Sequence, residues 1–403
     1  MTIYIIRPKA MSVARYLDLI SKKFTVEKRQ EQVQSVAWLQ MEDPVQQEIS
    51  DWIKDAQNRG VIEILNSRNA PKITGTTIAE MSDREAEQMR QDLPNVQILR
   101  DQLIDLIQPR RAVTPTKQKI DTSDLWHLQA IGLEAARRKG FERSGKNVTI
   151  AVFDTGIDST HPELHGKIVE SYSFDIKHWE ALPTSPQDTD GHGTHIAGLI
   201  CGKNVGVAPQ AKLISSLILP RGVGNLSNFI QALEWAATRP DVQIINISAS
   251  IRGCLNQMSD LVEDLLTVGL LPVCAVGNDG RNITCSPGNY KSVVSVGATN
   301  GNDRIASFSS SGTLVIDNHQ YQVPYLVAPG EAVYSSVIGG GYEAWNGTSI
   351  ATSIVSGIAA LILEQYPDIT VPELREELFS SCKDLGELKE RQGQGLVQVT
   401  AAL

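Results

Sequence analysis

The sequence predicts an α/β fold built on a mostly parallel sheet, with a smaller domain ahead of it. The main observation is a series of short apolar runs, rich in β-branched residues, that alternate with helical patterns. Uninterrupted apolar strands belong to sheets buried on both faces, and alternation with helices favours parallel pairing. The five runs are NVTIAVFD (147–154), AKLISSLIL (211–219), VQIINIS (242–248), LPVCAVG (271–277) and VVSVGA (293–298).

The second observation is that the composition of residues 1–108 differs from that of the rest of the chain. These residues are rich in Gln, Glu, Arg and Lys. Within them, residues 60–82 read as extended structure broken by turns. Ser82, with a glutamate three residues later, is a helix-start pattern, and that helix must end before Pro94. Residues 95–107 fit either a strand or a helix. Together these features predict a small α+β domain.

Between the two domains the chain is polar, basic and proline-bearing, with little to bury. Such a composition is typical of an exposed linker. The predicted division is therefore an N-terminal domain at 1–108, a linker at 109–123 and a main domain at 124–403.

The bulk composition argues against several classes of function. The net charge of −9 at pH 7 gives no general affinity for nucleic acid or anionic membranes. No apolar stretch predicts a membrane-spanning helix, and the N-terminus lacks the pattern of a secretory signal. The five cysteines are odd in number and their spacings match no metal framework, which favours a reducing compartment. We therefore expect a cytoplasmic protein without nucleic-acid or membrane partners.

Two polar residues follow predicted strands, at the sheet edge where active residues of parallel sheets gather. Asp154 closes the first run, and Asn278 lies in the glycine-flanked turn after the fourth. Either residue can be an ordinary turn former. Alternatively, an aspartate can hold a histidine in one tautomer, and an asparagine amide can donate to a developing oxyanion.

A pair of histidines lies in DTDGHGTHIAGLI (188–200), just before a predicted helix. His192 is either a polar residue at the helix start or a general base, since histidine titrates closest to neutral pH. His195 follows three residues later, so a metal pair is conceivable. The motif lacks the glutamate of HExxH, however, and we expect no metal there and a structural role for His195.

A further candidate, Ser349, lies near the start of the stretch NGTSIATSIVSGIAALILEQY (346–366), in which small polar residues run into an apolar helical pattern. Ser349 can be a simple helix cap, because serine oxygens accept hydrogen bonds from free backbone N–H groups. A helix N-terminus also stabilises negative charge, which suits a nucleophile whose attack creates an oxyanion. From this stretch alone, the cap is the better interpretation.

Taken together, the candidates supply an orienting acid, a base, an oxyanion donor and a nucleophile, in the order Asp154, His192, Asn278, Ser349. The motifs DTGID, GHGTHIAG, GND and GTSIATSIVSG resemble those of the subtilisin-like serine proteases, the subtilases. Subtilisin runs Asp, His, Ser, whereas α/β-hydrolases run Ser, Asp, His and carry GxSxG at the serine. The resemblance covers residues 125–403 and implies a three-layer, subtilisin-like α/β fold with a mostly parallel central sheet.

The resemblance implies a serine endopeptidase. By this resemblance, Asp154 is expected to orient His192, His192 to act as general base, and Ser349 to attack the peptide carbonyl. The amide of Asn278 and the backbone N–H of Ser349 are expected to stabilise the oxyanion. The resemblance further implies that extended peptide substrates pair with two binding segments of the chain. The first consists of Arg221, Gly222, Val223 and Gly224, and the second of Ser248, Ala249 and Ser250.

The sequence departs from the family at several places. Ser353 replaces a proline that usually follows the nucleophile, which should soften the helix entry without removing the chemistry. Ser250 replaces a common glycine beside the first specificity pocket and should narrow that pocket. The stretch CGKNVGVAP (201–209) is too short for the calcium loop of many subtilases, so we expect no cofactor, and calcium only elsewhere if at all. Cys254 and Cys285 fall near the pocket; they can form a disulfide, although free thiols suit a cytosolic protein better.

The resemblance also gives the N-terminal domain a role. Many subtilases carry a propeptide that folds as a small α+β domain, assists folding and blocks the cleft, and residues 60–107 resemble one. The linker is then the maturation zone, in which Arg110 and Arg111 are either a cleavage mark or a solvated basic pair. The sequence thus predicts a self-inhibited zymogen whose partners are its own propeptide and peptide or protein substrates.

Three other outcomes stay open on the sequence. Such a protease can be dedicated to one precursor, for example the leader of a modified peptide. An amine can intercept the acyl-enzyme instead of water, which gives a transpeptidase. A degenerate subtilase can bind peptides without cleaving them, although the four intact site residues argue against this.

Overall fold

A computed structural model describes residues 1–9, 26–66, 73–112, 114–176, 180–316 and 318–399. The described helices are α1 (Val26–Met41), α2 (Pro44–Asn58), α3 (Asp83–Asp92), α4 (Trp126–Ala130), α5 (Leu133–Arg138), α6 (His192–Cys201), α7 (Leu226–Thr238), α8 (Ser259–Thr267), α9 (Thr348–Gln365), α10 (Val371–Ser380) and α11 (Lys389–Gln392). The described strands are β1 (Thr2–Pro8), β2 (Ile62–Ile64), β3 (Thr77–Met81), β4 (Val96–Arg100), β5 (Leu103–Leu106), β6 (Arg110–Arg111), β7 (Thr149–Asp154), β8 (Ile168–Asp175), β9 (Glu180–Pro183), β10 (Lys212–Leu217), β11 (Val223–Asn225), β12 (Val242–Ile247), β13 (Ala249–Arg252), β14 (Leu271–Ala275), β15 (Cys285–Ser286), β16 (Val294–Thr299), β17 (Gly312–Ile316), β18 (His319–Val323), β19 (Leu326–Pro329), β20 (Val333–Ser336) and β21 (Tyr342–Asn346).

The main domain is built on an eight-stranded sheet in the order β19-β16-β14-β12-β7-β10-β8-β9. Neighbouring strands are parallel except at one edge, where β9 runs antiparallel to β8. Each of the five apolar runs forms one strand of this sheet, namely β7, β10, β12, β14 and β16. The prediction of an α/β fold with a mostly parallel sheet is therefore confirmed.

Both faces of the sheet are buried along its central apolar strands, as such strands require. Along β7, Ile150 and Val152 belong to one buried cluster with α6 and α9, while Ala151 and Phe153 belong to another with α7 and α8. This alternation follows from the two-residue period of a strand. The domain thus has three layers, with helices on each side of the sheet.

Helix α9 corrects one expectation from the sequence. Its 18 residues are long and apolar enough to cross a membrane, whereas the sequence analysis expected no such stretch. In the fold this helix is 89% buried inside the protein. A mostly apolar helix that is buried in this way is typical of the core of a large domain.

The N-terminal domain is a four-stranded antiparallel sheet in the order β2-β3-β1-β4, with its own buried core. Ser82 caps α3 as predicted, because its hydroxyl accepts a hydrogen bond from the backbone N–H of Glu85 at 3.2 Å. Helix α3 ends at Asp92, ahead of Pro94. The ambiguous residues 95–107 form strands β4 and β5. Helices α1 and α2 and strand β1 were not predicted, and residues 67–72 of the predicted extended segment lie outside the described residues.

The two domains are joined by polar contacts buried from solvent. A guanidinium nitrogen of Arg7, on β1, lies 3.0 Å from a carboxylate oxygen of Asp264, on α8, and both side chains are buried. Arg29, on α1, donates to the backbone carbonyl of Val268 at 2.8 Å, just past the end of α8. A cation at this position binds carbonyls that the helix leaves without partners.

A second pair of contacts holds the N-terminal domain against α7. The Asp101 carboxylate accepts from the backbone N–H of Ser227 at 2.9 Å and from its hydroxyl at 2.7 Å, in the first turn of α7. An acidic group is favourable there, because the first turn of a helix has free N–H donors. Glu234, further along α7, accepts from the backbone N–H groups of Ile73 and Thr74 at 2.7 and 2.9 Å.

Candidate functional site

Three segments of the main domain bring their polar residues together at one edge of the sheet. Asp154 is the last residue of β7, His192 the first of α6, and Ser349 the second of α9. Nδ1 of His192 lies 2.7 Å from a carboxylate oxygen of Asp154, and Nε2 lies 2.9 Å from the hydroxyl oxygen of Ser349. Because the carboxylate can only accept, Nδ1 donates to it and Nε2 is left to accept the serine proton. All three side chains are buried.

Asp188, which sequence reasoning did not single out, fixes the helix that carries His192. One carboxylate oxygen accepts from the backbone N–H of Thr194 at 2.8 Å and from its hydroxyl at 2.6 Å. The other accepts from the backbone N–H of Gly191 at 2.9 Å and from the Thr155 hydroxyl at 2.7 Å. Since Thr155 directly follows Asp154, this carboxylate ties the end of β7 to the start of α6. The sequence signal available for Asp188 was an acidic residue three positions before Gly191, at the start of a predicted helix.

Asn278 lies beside the nucleophile with its amide held in one orientation. Its side-chain oxygen accepts from the backbone N–H of Thr348 at 2.8 Å and from the Thr348 hydroxyl at 3.0 Å. Its NH₂ group therefore faces the serine side of the turn. A Cβ placed on Gly347 would lie 3.4 Å from that nitrogen and 3.1 Å from the Ser349 hydroxyl oxygen. Glycine thus keeps the space between donor and nucleophile open.

Helix α9 begins at Thr348, so Ser349 lies inside its first turn. Its backbone N–H is among those that an α-helix leaves without an intrahelical partner. Ser353, which replaces the expected proline, donates through its hydroxyl to the carbonyl of Ile350 at 2.7 Å. The side chain at this departure is thus hydrogen-bonded within the helix start.

His195 has a structural position. Its Nε2 donates to the backbone carbonyl of Glu343 at 3.0 Å, and its ring stacks on Trp345 with centroids 4.5 Å apart. Burial lowers the pKa of His195 to about 3, so the ring is neutral at physiological pH. Among the residues that the structure describes, no group of three His, Cys, Asp or Glu side chains is placed to hold a metal ion.

Residues 103–112, which we call the cleft segment, run through this site. Strand β5 of the segment pairs antiparallel with β11 and with β13. The pairs with β11 place Asp105 opposite Val223 and Ile104 opposite Gly224. Both binding segments expected from the sequence therefore contact extended chain, with Arg221 and Gly222 in the turn that leads into β11.

The second binding segment continues this pairing to the edge of the triad. Ala249 lies opposite Leu106, and Ser250 lies opposite Asp105. Beyond the strand, the backbone N–H of Ile107 donates to the carbonyl of Ser248 at 2.9 Å. The cleft segment is thus held as an additional strand, in the manner of a peptide that extends a sheet edge.

Two side chains of the cleft segment are buried against apolar groups of the main domain. Ile104 is 2% exposed, packs in the buried cluster of α7 and α8, and forms part of the wall of an outer apolar pocket. Ile107 is buried in a first pocket against Ala275 and Cys285. The outer pocket is lined by Leu226, Phe229, Ala249, Ile251, Met258 and Tyr290, among others.

On the far side of the triad the cleft segment pairs with another strand. Arg110 and Arg111 of β6 lie opposite Asn346 and Trp345 of β21. The guanidinium carbon of Arg111 is 5.6 Å from the centre of the Trp345 ring, within the range of cation–π attraction. Strand β21 leads directly into the nucleophile turn. An unbroken chain therefore crosses the triad between Leu106 and Arg110.

The five cysteines are free thiols, so Cys254 and Cys285 form no disulfide in the structure. Cys254 is exposed, whereas Cys285 is buried in the wall of the first pocket. Burial raises the pKa of the Cys285 thiol to about 12. This thiol is therefore protonated at neutral pH and acts as a small apolar wall group.

Comparison with known proteins identifies similar sequences over most of the chain. A family model described as the subtilase family matches residues 145–396. Subtilisin E from Bacillus subtilis (strain 168) is 36% identical over 286 residues, covering 68% of this chain and 70% of the relative. A subtilisin from Bacillus pumilus has the same identity and length, covering 97% of that protein. M-protease from Shouchella clausii (strain KSM-K16) is 35% identical over 310 residues, covering 75% of this chain and 74% of the relative.

Proposed function

Because the chain belongs to the subtilase family and is a serine endopeptidase, we propose that it cleaves peptide bonds through Asp154, His192 and Ser349. The observation that carries this assignment is the pair of hydrogen bonds made by His192, at 2.7 Å to Asp154 and at 2.9 Å to Ser349. A serine hydroxyl is a weak nucleophile until a base within hydrogen-bond reach removes its proton.

The steps follow from this geometry. His192 Nε2 takes the proton as the Ser349 oxygen bonds to the substrate carbonyl carbon, and Asp154 stabilises the imidazolium that forms. His192 then gives the proton to the leaving amine as the C–N bond breaks. Water, deprotonated by the same histidine, hydrolyses the ester and restores Ser349.

Asn278 is proposed as the side-chain donor to the oxyanion. Replacing Asn278 with leucine should lower kcat by about 10²- to 10³-fold, or roughly 3 kcal/mol, which is the range measured for the equivalent donor of subtilisin. The reason is that a preorganised donor acts mainly on charge that develops in the transition state. The measurement is kcat and KM on a fluorogenic peptide in an Ile104→Glu background, in which the cleft segment loses its apolar anchor. An unchanged kcat would remove Asn278 from the mechanism.

We also propose that the full chain is a self-inhibited zymogen. The cleft segment supports this, because it pairs with both binding segments and buries Ile104 and Ile107 against the main domain while remaining covalently continuous. The apolar packing of the N-terminal domain on the main domain, in which Val33 and Val36 of α1 share a buried cluster with α7 and α8, supports a stable inhibited state. A fluorophosphonate probe tests the assignment directly: an active enzyme with an emptied cleft is labelled at Ser349, and a peptide-binding homologue is not.

No metal is proposed for stability or activity. The short stretch after α6 places Asn204 against Glu163, whose carboxylate accepts from the Asn204 backbone N–H and side chain, each at 2.7 Å. The Tyr342 hydroxyl donates to the same carboxylate at 2.7 Å. These oxygens are already satisfied by protein donors, which does not suit a calcium ion that requires six to eight oxygen ligands. The free thiols also fit the proposed cytoplasmic location.

Chelation should therefore leave this protein unchanged. We expect the same Tm in EDTA as in calcium, because a ligand that binds only the folded state raises Tm by mass action and no such ligand is being removed. Differential scanning fluorimetry of the full chain in both buffers measures this. A fall in Tm in EDTA that calcium reverses would show a metal site.

A further inference from the structure

The cleft segment contains a conflict between two markers of which peptide bond faces the nucleophile. The first marker is the apolar contact of Ile107, whose buried side chain packs against Ala275, the last residue of β14, and against Cys285. The second marker is the oxyanion donor itself. The NH₂ group of Asn278 donates to the backbone carbonyl of Gln108 at 3.0 Å. The apolar contact and the oxyanion donor thus involve two consecutive residues, Ile107 and Gln108.

Where the two markers disagree, the donor identifies the reacting bond, because the oxyanion develops at the carbonyl that the donor binds. In extended chain the next residue is about 3.3 Å further along, which is a full hydrogen-bond length. Consequently the Ile107 carbonyl belongs to the residue that makes the apolar contact, while the polarised carbonyl belongs to Gln108.

We propose that the bond presented to Ser349 is the one between Gln108 and Pro109, and that Pro109 keeps it uncut. This deepens the proposed function and rests on it. The chain would hold its own inhibitor as a substrate with a poor leaving group. Pro109 is in the position of that leaving group because it directly follows the carbonyl that Asn278 binds.

The chemistry of cleavage explains why proline matters. Ser349 would bond to the Gln108 carbonyl carbon and pass its proton to His192. The C–N bond to Pro109 would then break as His192 returns the proton to the proline nitrogen, and water would release the Gln108 carboxylate. The proline nitrogen carries ring carbon Cδ in place of hydrogen, so the ring lies on the side where a secondary amide is unhindered. The ring also restricts Gln108 to extended conformations, which limits the adjustment needed to reach the transition state.

The pairing of β6 with β21, on the far side of the triad, also favours the uncut chain. Arg110 and Arg111 are held on β21, and Arg111 also stacks on Trp345. After cleavage the new proline amine would therefore remain beside the acyl-enzyme instead of diffusing away. A held amine has a high effective concentration and reforms the bond faster than water hydrolyses the ester. The inhibited chain is thus protected both before and after attack.

The test compares full-length wild type with Pro109→Ala by intact mass and N-terminal sequencing over time. We expect the wild type to stay whole and Pro109→Ala to be cut between positions 108 and 109, on the order of 10²-fold faster, because alanine removes the ring that hinders the leaving nitrogen and restricts Gln108. Pro115→Ala is the matched control, because it removes an exposed linker proline outside the paired segment. Pro109→Ala combined with Ser349→Ala should stay whole, which excludes a contaminating protease.

A fluorophosphonate probe on Ile104→Glu distinguishes failure of this inference from failure of the proposed function. The inference is overturned if the wild type is cut as fast as Pro109→Ala, or if the new N-terminus is at position 108. It is also overturned if Pro109→Ala stays whole while Ile104→Glu is labelled at Ser349, in which case the proposed protease stands. If Ile104→Glu is folded and remains unlabelled, the proposed function itself fails.

Discussion

We expect Ser349→Ala to abolish peptide hydrolysis while leaving the fold intact. The expected loss in kcat is roughly 10⁶-fold, the size measured when subtilisin, a relative of this chain, loses its nucleophile. The physical reason is that the Ser349 hydroxyl, 2.9 Å from Nε2 of His192, is the group that forms the covalent intermediate. The measurement is kcat on a fluorogenic peptide, with Ile104→Glu in both chains so that the cleft is open.

Ser353→Ala is the matched control for this prediction. Ser353 is buried on the same helix, and its hydroxyl donates to the carbonyl of Ile350. Removing it takes away one hydroxyl from α9 without touching the hydrogen bond to His192. Substantial hydrolysis by Ser349→Ala, or an equal loss in Ser353→Ala, would contradict the assignment of the nucleophile.

Ile104→Glu opens the cleft of the full chain. Ile104 is 2% exposed in the wall of the apolar outer pocket, where a carboxylate finds Leu226, Phe229 and Met258 instead of donors. Burying an unpaired polar group costs about 3 kcal/mol, which weakens binding of the cleft segment by about 10²-fold. The rate at which a fluorophosphonate labels Ser349 should rise by a similar factor.

The neighbouring residue supplies the control for this second prediction. Leu103 is on the same strand, and it is 64% exposed because successive side chains of a strand face opposite sides. Leu103→Glu should therefore label as slowly as wild type. Equal labelling of both variants would mean that the cleft segment does not limit access to Ser349. Circular dichroism should be unchanged for both.

The strands that carry the site could be predicted because their signal is local. The run that becomes β7 is apolar on both faces, and the acid that ends it is in the sequence pattern itself. Asp154, His192 and Ser349 were found in the same way, since each is at a strand end or helix start. Their meeting in space was implied by the family resemblance, because the parallel sheet that aligns them depends on contacts distant in sequence.

Other features depend on partners that a local pattern does not contain. Helix α1 has many glutamines, and its buried residues Val33, Val36 and Ala37 face the core of the main domain, far along the chain. Asp188 is a common turn residue until Thr155 and Thr194 are placed around it. The cleft segment was ambiguous for the same reason. It is a strand because β11 and β13 pair with it.

The hydrogen bonds from Thr348 to Asn278 have a consequence for what this protein can accept. Thr348 is the residue before the nucleophile, so the oxyanion donor is fastened to the same turn as the attacking oxygen. The distance between the Asn278 amide and the Ser349 hydroxyl is therefore fixed by the protein and does not adjust to a bound peptide. A peptide whose carbonyl arrives one residue out of step has to bear the whole mismatch in its own backbone. The site therefore selects peptides by which residue places its carbonyl at the oxyanion donor, as well as by side-chain shape.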